Sequence, residues 1–141
     1  MLGRLARLLR MCGYDAAYAL DRGIEDDDRL CAVADAEDRL LLTRDAALAR
    51  RVGNALCITS TGIEDQIAEL RAAGFTLSLG DPTRCSRCNG RLEPLSGIAS
   101  TPDYAPDPGE TPVWRCVDCG QCYWRGSHWE DVRARLGEGE E

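Results

Sequence analysis

Lysine is absent from this chain: all 17 basic residues are arginine, a bias of genome composition rather than of chemistry. Positive charge is also scarce. Against 24 acidic side chains the arginines leave a formal net charge of −7, and a protein that coats a nucleic-acid duplex needs the opposite surplus. That sign still admits a metal-dependent nuclease, whose site is itself acidic and whose cations offset local repulsion. No apolar run approaches the ~20 residues of a membrane-spanning helix. No secretory signal is visible either, because residues 1–12 space three arginines through the leucines in place of a charged start and an unbroken apolar run. A reducing, cytoplasmic setting is therefore expected for the eight cysteines. No internal repeat is evident. At 141 residues, 44% of them hydrophobic, the chain can form one domain or two small ones around a modest core.

What is present is led by four cysteines. Cys85-Ser-Arg-Cys88 and Cys116-Val-Asp-Cys119 stand 27 residues apart. Each CxxC pair places two thiolates on a tight knuckle, and two knuckles close a tetrahedral four-sulfur site for zinc. Residues 96–112 between them are mostly Pro, Gly, Ser, Thr and Asp, so metal ligation supplies folding energy that apolar burial cannot. Disulfides would need an oxidising compartment. Iron of the rubredoxin type is a second rival, since Cys116-Val-Asp-Cys119-Gly-Gln-Cys122-Tyr123 resembles an iron knuckle and sulfur ligation suits both metals. Cys122 could compete as a ligand, but the spacing favours Cys119. Cys12, Cys31 and Cys57 lie in apolar settings and are expected as buried thiols. His128, the single histidine, suits a zinc ligand, a general base or a packing residue; four cysteines make the first unnecessary. Trp114, Tyr123, Trp124 and Trp129 surround the second knuckle, as a small core or as a platform on which bases stack, with core packing favoured.

The chain divides near Asp81-Pro82, giving expected domains over 1–81 and 82–136 and a frayed, acidic tail over 137–141. Leu2, Leu5, Leu8, Leu9 and Cys12 form one helical stripe that Gly13 ends, with Arg4, Arg7 and Arg10 off it. Tyr14–Ala19 reads as a short strand. Asp26 or Asp27 caps a helix carrying Leu30, Val33 and Ala34. Leu40–Thr43 and Ala55–Thr59 read as buried strands flanking a short helix over Asp45–Val52. Ile63, Ile67 and Leu70 mark a further helix ended by Gly74. Such alternation predicts an α/β fold, a parallel sheet with helices on both faces. The chain opens on a helix, without the strand with which such a unit begins.

Function in open parallel sheets gathers at the carboxyl ends of strands, where Thr43-Arg44-Asp45 stands. Asp45 there either caps the next helix or points a carboxylate into the crevice. Asp26, Asp27 and Asp28 open another helix, where capping and the helix dipole also explain acidic residues. Two such clusters could share Mg²⁺ or Mn²⁺, held by carboxylates to activate water against a phosphodiester. Arg4, Arg7 and Arg10 read first as a solvated helix face and second as phosphate contacts.

Together, Met1-Leu-Gly-Arg-Leu-Ala-Arg-Leu-Leu-Arg10, Gly13-Tyr14-Asp15, Leu40-Leu-Leu-Thr-Arg-Asp45, the two knuckles and Tyr123-Trp-Arg-Gly-Ser-His-Trp129 resemble the Mut-7 C-terminal RNase domain family, a PIN-like nuclease fold fused to a zinc ribbon. The resemblance runs from Met1 to about Val132. It implies metal-dependent cleavage of RNA, single-stranded and internal, through an acidic cluster holding Mg²⁺ or Mn²⁺. Asp45 matches the acid of the Thr-Arg-Asp motif. Asp27 matches the acid preceding the helix leucine, here Leu30, with Asp28 or Asp26 taking its place if the register slips. Arg7 and Arg10 fall in the helix motif and, with Arg44, are implied to hold RNA phosphates. Cys85, Cys88, Cys116 and Cys119 match the ribbon's zinc ligands.

The sequence departs from the family at one point. PIN-like domains carry a first aspartate at the end of a strand preceding the Leu-Gly-Arg-Leu-Ala-Arg helix, and this sequence starts inside that motif. A start codon placed too late and a site that has lost its metal are the two explanations. A non-catalytic module whose ribbon docks on RNA or protein is the alternative to a nuclease, and an iron-coloured electron carrier a third. The expectation is that the chain as given cuts RNA poorly, and that one extended upstream by about one strand, ~6 residues, cuts better. Equal cleavage rates for the two would remove the argument.

Overall fold

The computed structural model describes residues 2–137. Its elements run, in chain order, α1 (Gly3–Met11), a 3₁₀ turn (Ala19–Arg22), α2 (Asp27–Ala36), β1 (Leu41–Thr43), α3 (Ala46–Arg51), β2 (Ala55–Cys57), α4 (Ile63–Ala72), β3 (Leu92–Pro94), β4 (Val113–Cys116), β5 (Cys122–Trp124) and α5 (Ser127–Arg135). Among the described residues no helix is long and apolar enough to cross a membrane. The chain forms two compact units that do not follow chain order. One holds the residues up to Leu5 and Ala17–Phe75; the other holds Ala6–Ala16 and the chain from Thr76 onward. Asp81 and Pro82, where the sequence changes character, both lie inside the second unit.

The apolar stripe of α1 behaves as its spacing predicts: Leu5, Leu8 and Leu9 are buried. Gly13 stops the helix with φ +93°, donating its N–H to the carbonyl of Arg10 while Tyr14 donates to that of Leu9. This paired closure satisfies the last carbonyls and needs a left-handed residue, which costs glycine nothing. Helix α4 ends in the same way, with Gly74 at φ +101° and bonds from Gly74 to Arg71 and from Phe75 to Leu70.

The first unit contains a two-stranded parallel sheet, β1 against β2, in the register Leu41↔Ala55, Leu42↔Leu56 and Thr43↔Cys57. A parallel pair needs a crossover, and α3 supplies it. Ala34, Leu41, Leu48 and Val52 form a buried cluster against which Leu30, Cys31 and Ala55 pack. Ile63, Ile67 and Leu70 are buried along α4. Both strands are shorter than their apolar runs: Leu40 is exposed, while Ile58 is wholly buried just beyond β2.

Two sequence expectations need correction here. Tyr14–Ala19 is not a strand, residues 14–18 being irregular and Ala19 opening the 3₁₀ turn: within the second unit the Ala16 N–H goes to the Asn89 side chain, and Asp15 accepts from the same amide. Cys12, Cys31 and Cys57 are half-buried rather than buried.

The second unit carries an antiparallel sheet ordered β3-β4-β5. Leu92 lies opposite Cys116, Pro94 opposite Trp114, and Trp114 opposite Tyr123. Pro94, which cannot donate to a ladder, sits on an edge strand, where that loss is tolerated. Residues 95–112 form no helix or strand. They are fastened instead by Arg115 donating to the Ser100 carbonyl at 2.9 Å and by the Cys122 N–H donating to the Tyr104 hydroxyl at 3.0 Å. Of the expected tail, Gly137 closes the turn after α5, and residues 138–141 lie outside the described residues.

Leu70 is wholly buried, so Leu70→Ala is expected to cost ~2–5 kcal/mol through lost burial and the cavity left behind. Urea denaturation followed by circular dichroism checks it; a loss below ~1 kcal/mol would mean that this site collapses around the gap.

Candidate metal centre and acidic residues

The four knuckle sulfurs come together. Cys85, Cys88, Cys116 and Cys119 place their Sγ atoms within 4.8 Å of one another, with Cys85 to Cys119 at 3.7 Å and Cys88 to Cys116 at 3.5 Å. Corners of a tetrahedron with Zn–S bonds of ~2.3 Å lie ~3.8 Å apart, so the donor set fits zinc in kind and spacing. Both knuckles fold alike. Cys85 donates its N–H to the Gly90 carbonyl and accepts from Asn89; Cys116 donates to Gln121 and accepts from Gly120. The N–H groups of Asp118 and Cys119, each at 3.4 Å, point at the Cys116 sulfur. At Gly90 a side chain would have no room: a Cβ would lie 2.5 Å from an Asp118 carboxylate oxygen and 2.8 Å from the Cys116 sulfur. Cys122 is buried apart from the group, its sulfur turned toward the Gly120 carbonyl at 4.0 Å.

Four crowded thiols without a metal cannot all ionise. Desolvation pushes the Cys88 thiol up to about 12, and the neighbouring thiols add to the rise. Cys119 is raised for the same leading reason. Cys116 moves the other way, to about 7: burial opposes it, but the N–H donors of Cys119 and Asp118 favour the thiolate. The Tyr123 hydroxyl, 2.9 Å from the Cys85 sulfur, is raised by burial and then by that hydrogen bond.

The aromatic residues serve the ribbon's interior. Trp114 and Tyr123 pack against the buried cluster of Cys85, Leu92 and Cys116, and Trp124 stacks on Tyr104 with ring centroids 6.1 Å apart. Arg125 lies over Trp114 and Trp129 and pairs with Asp81, so its charge is already matched. His128 is exposed in the first turn of α5 and is not one of the gathered metal ligands.

The acidic residues are placed differently. Asp45 is the N-cap of α3, one carboxylate oxygen accepting from Ala47 at 3.0 Å and Leu48 at 3.1 Å. Asp26 caps α2, accepting from the Asp28 N–H at 3.2 Å. Asp27 is exposed as the first residue of that helix. Asp28 is ion-paired with Arg51, the last residue of the helix that Asp45 begins. Arg44 is exposed beside Asp45, and Arg7 is exposed on α1. Among the described residues the four cysteines form the one group of three or more metal-ligating side chains; no third acid gathers with Asp27 or Asp45.

Arg10 departs from both readings of its series. It is 3% exposed, and its guanidinium donates to the carbonyls of Ala16 at 2.8 Å and Ser86 at 3.0 Å. An arginine so placed is neither a solvated face nor open to a phosphate. Its carbonyl acceptors satisfy the buried guanidinium's N–H groups.

A further constellation escaped sequence reasoning. Beyond β2, Thr59 and Ser60 donate their N–H groups to the two carboxylate oxygens of Glu69, and the Thr59 hydroxyl adds a third bond. Those donors, the Thr59 N–H first, hold the Glu69 carboxyl at about 2. Buried Gln66 grips the Ser60 carbonyl at 2.9 Å. Because Ile58 donates to Thr43 at 2.7 Å, this clamp stands at the same end of the sheet as Asp45. Two hydroxyl residues after an apolar run were the available signal, but nothing local paired them with Glu69.

Fold and centre thus define a mixed α/β chain bearing a small parallel sheet, an antiparallel sheet and a four-cysteine cluster compatible with a zinc ribbon. The Mut7-C RNAse domain family matches residues 1–136, and the chain belongs to that family. No curated protein and no solved structure matches it. Membership points to a nuclease acting on RNA.

Zinc loading of the metal-free protein at pH 7 is expected to release protons, because Cys88 and Cys119 keep theirs in its absence. Affinity should fall as pH drops, since protons then compete for thiolates. Calorimetric titration in buffers of different ionisation enthalpy, over about pH 6 to 8, reads both effects; no proton release at pH 7 would show thiols already ionised.

Proposed function

We propose that this chain is a cytoplasmic, PIN-like endoribonuclease that cuts single-stranded RNA, with Asp27 and Asp45 as carboxylate ligands for Mg²⁺ or Mn²⁺. The observation that carries the reading is the family match over residues 1–136. Asp45 and Arg44 follow β1, at the carboxyl end of a parallel sheet, where such folds bind ligands. Both aspartates are exposed and offer the hard oxygen donors these cations take, one or two at a time beside water and phosphate. When bound, the cation would lower the pKa of a water and offset charge on the phosphodiester. The chain's own residues do the rest in this reading. Arg44 holds an RNA phosphate beside Asp45, and the Glu69 clamp fixes the neighbouring loop. Arg7 contacts phosphate from α1. Arg10, buried against carbonyls, drops out of the set proposed on sequence. The zinc ribbon is structural, and a domain boundary near residue 81 belongs to the same reading.

A second reading is a non-catalytic module that binds RNA or protein. It is favoured by one observation: among the described residues neither Asp27 nor Asp45 belongs to a group of three or more metal-ligating side chains.

Cleavage of labelled single-stranded RNA by zinc-loaded protein, with Mn²⁺ added or withheld, tests the choice. Asp45→Asn is the decisive control, because asparagine caps a helix as well as aspartate yet removes the charge. Manganese-dependent cutting that drops at least ~100-fold in Asp45→Asn, at unchanged thermal stability, is the expected result for a lost electrostatic contribution of ~3 kcal/mol. RNA bound but left uncut by the folded wild type favours the binding module.

A further inference from the structure

The segment Ala6–Ala16 belongs to the same compact unit as the ribbon, although at least sixty positions of sequence part them. Its attachments converge on the first cysteine knuckle. Arg10, buried, donates to the carbonyl of Ser86, which lies between the ligands Cys85 and Cys88. The Ala16 N–H donates to Asn89 Oδ1 at 3.0 Å, and Asn89 Nδ2 donates to Asp15 Oδ1 at 2.7 Å. Tyr14 donates its hydroxyl to the Thr76 carbonyl at 2.9 Å. Asn89 directly follows a metal ligand and holds φ +71°, a conformation that asparagine tolerates better than other residues bearing a side chain. Its amide thus reads one acceptor and one donor of the segment at once, from a backbone that the closed knuckle fixes.

We propose that the first knuckle is the docking site for the chain's own Arg10–Ala16 segment, with Asn89 as the recognition residue, so that zinc loading orders that segment as well as the ribbon. A four-sulfur centre is then more than a local staple: its knuckle presents the Ser86 carbonyl and the Asn89 side chain in the one geometry that Arg10, Asp15 and Ala16 match. Without metal the knuckle lacks its closing bonds, and the hydrogen bonds that Arg10, Asp15 and Ala16 make to it weaken with it. This inference stands apart from the nuclease reading and survives its failure.

Amide hydrogen exchange read by NMR on the full chain tests it, with zinc content measured for each sample. In the zinc-loaded protein the Ala16 amide should be protected. Stripping zinc should speed exchange over both 10–16 and 85–90. Asn89→Gly keeps a residue suited to positive φ and removes only the side chain. With zinc still bound, it should speed exchange at Ala16 about five- to tenfold, as expected for lost hydrogen bonding of this kind. Arg10→Met approaches from the segment's side and leaves the knuckle sequence untouched; it should speed zinc transfer to a competing chelator. The proposal is overturned if zinc-loaded Asn89→Gly protects Ala16 as the wild type does, or if zinc removal opens 85–90 and leaves 10–16 unchanged. Should Asn89→Gly fail to load, zinc transfer from Arg10→Met at the wild-type rate overturns it equally.

Discussion

The gathering of four cysteine sulfurs within 4.8 Å of one another is the constraint on which the second unit rests. Residues 95–112 form no regular structure, and the three strands beside them are three or four residues long. Strands so short bury little, and a sheet of this size is marginal without reinforcement. The knuckles compensate by turning sequence-distant cysteines into neighbours, and the buried cluster of Cys85, Leu92 and Cys116 shows ligand and core to be the same atoms. Gly90 then becomes a steric requirement of the centre, and Tyr123 both packs the ribbon and hydrogen-bonds a ligand sulfur, the sort of outer contact that fixes ligand orientation.

The first unit is held by different means. Its sheet has two strands, and the ends of those strands are tied by polar contacts more than by burial. Asp45 caps α3, Glu69 gathers the donors of Thr59 and Ser60, and Gln66 fastens the Ser60 carbonyl. Asp45 satisfies first-turn N–H groups of α3, and Glu69 and Gln66 satisfy backbone groups just beyond the short ladder. The loops at the carboxyl ends of β1 and β2 are therefore ordered before any ligand arrives, which is the condition a binding or catalytic site needs.

Sequence was informative wherever the cause of a structure is local. The CxxC spacing, the stops at Gly13 and Gly74 and the apolar stripes of α1 and α4 were legible because each depends on neighbours within a few positions. The capping role of Asp45 was legible as one of two readings, and its bonds to Ala47 and Leu48 make it a cap whatever else it does. Failures came where the partner is remote. Tyr14–Ala19 looked like a strand because its true partner, Asn89, lies 73 positions beyond Ala16. Arg10 looked solvated because the Ser86 carbonyl that accepts from its guanidinium was invisible at 76 positions. The Glu69 clamp joins residues whose types carry no pairing signal.

The discontinuity of the second unit has a kinetic meaning. Residues 6–16 are synthesised at least sixty positions before the rest of their unit, so they leave the ribosome well ahead of the Ser86 and Asn89 groups that hold them. Closing a loop of this length before its contacts can form is slow and entropically opposed, so Arg10, Asp15 and Ala16 must wait for Ser86 and Asn89. The segment therefore settles only once the first knuckle, at residues 85–90, has followed it.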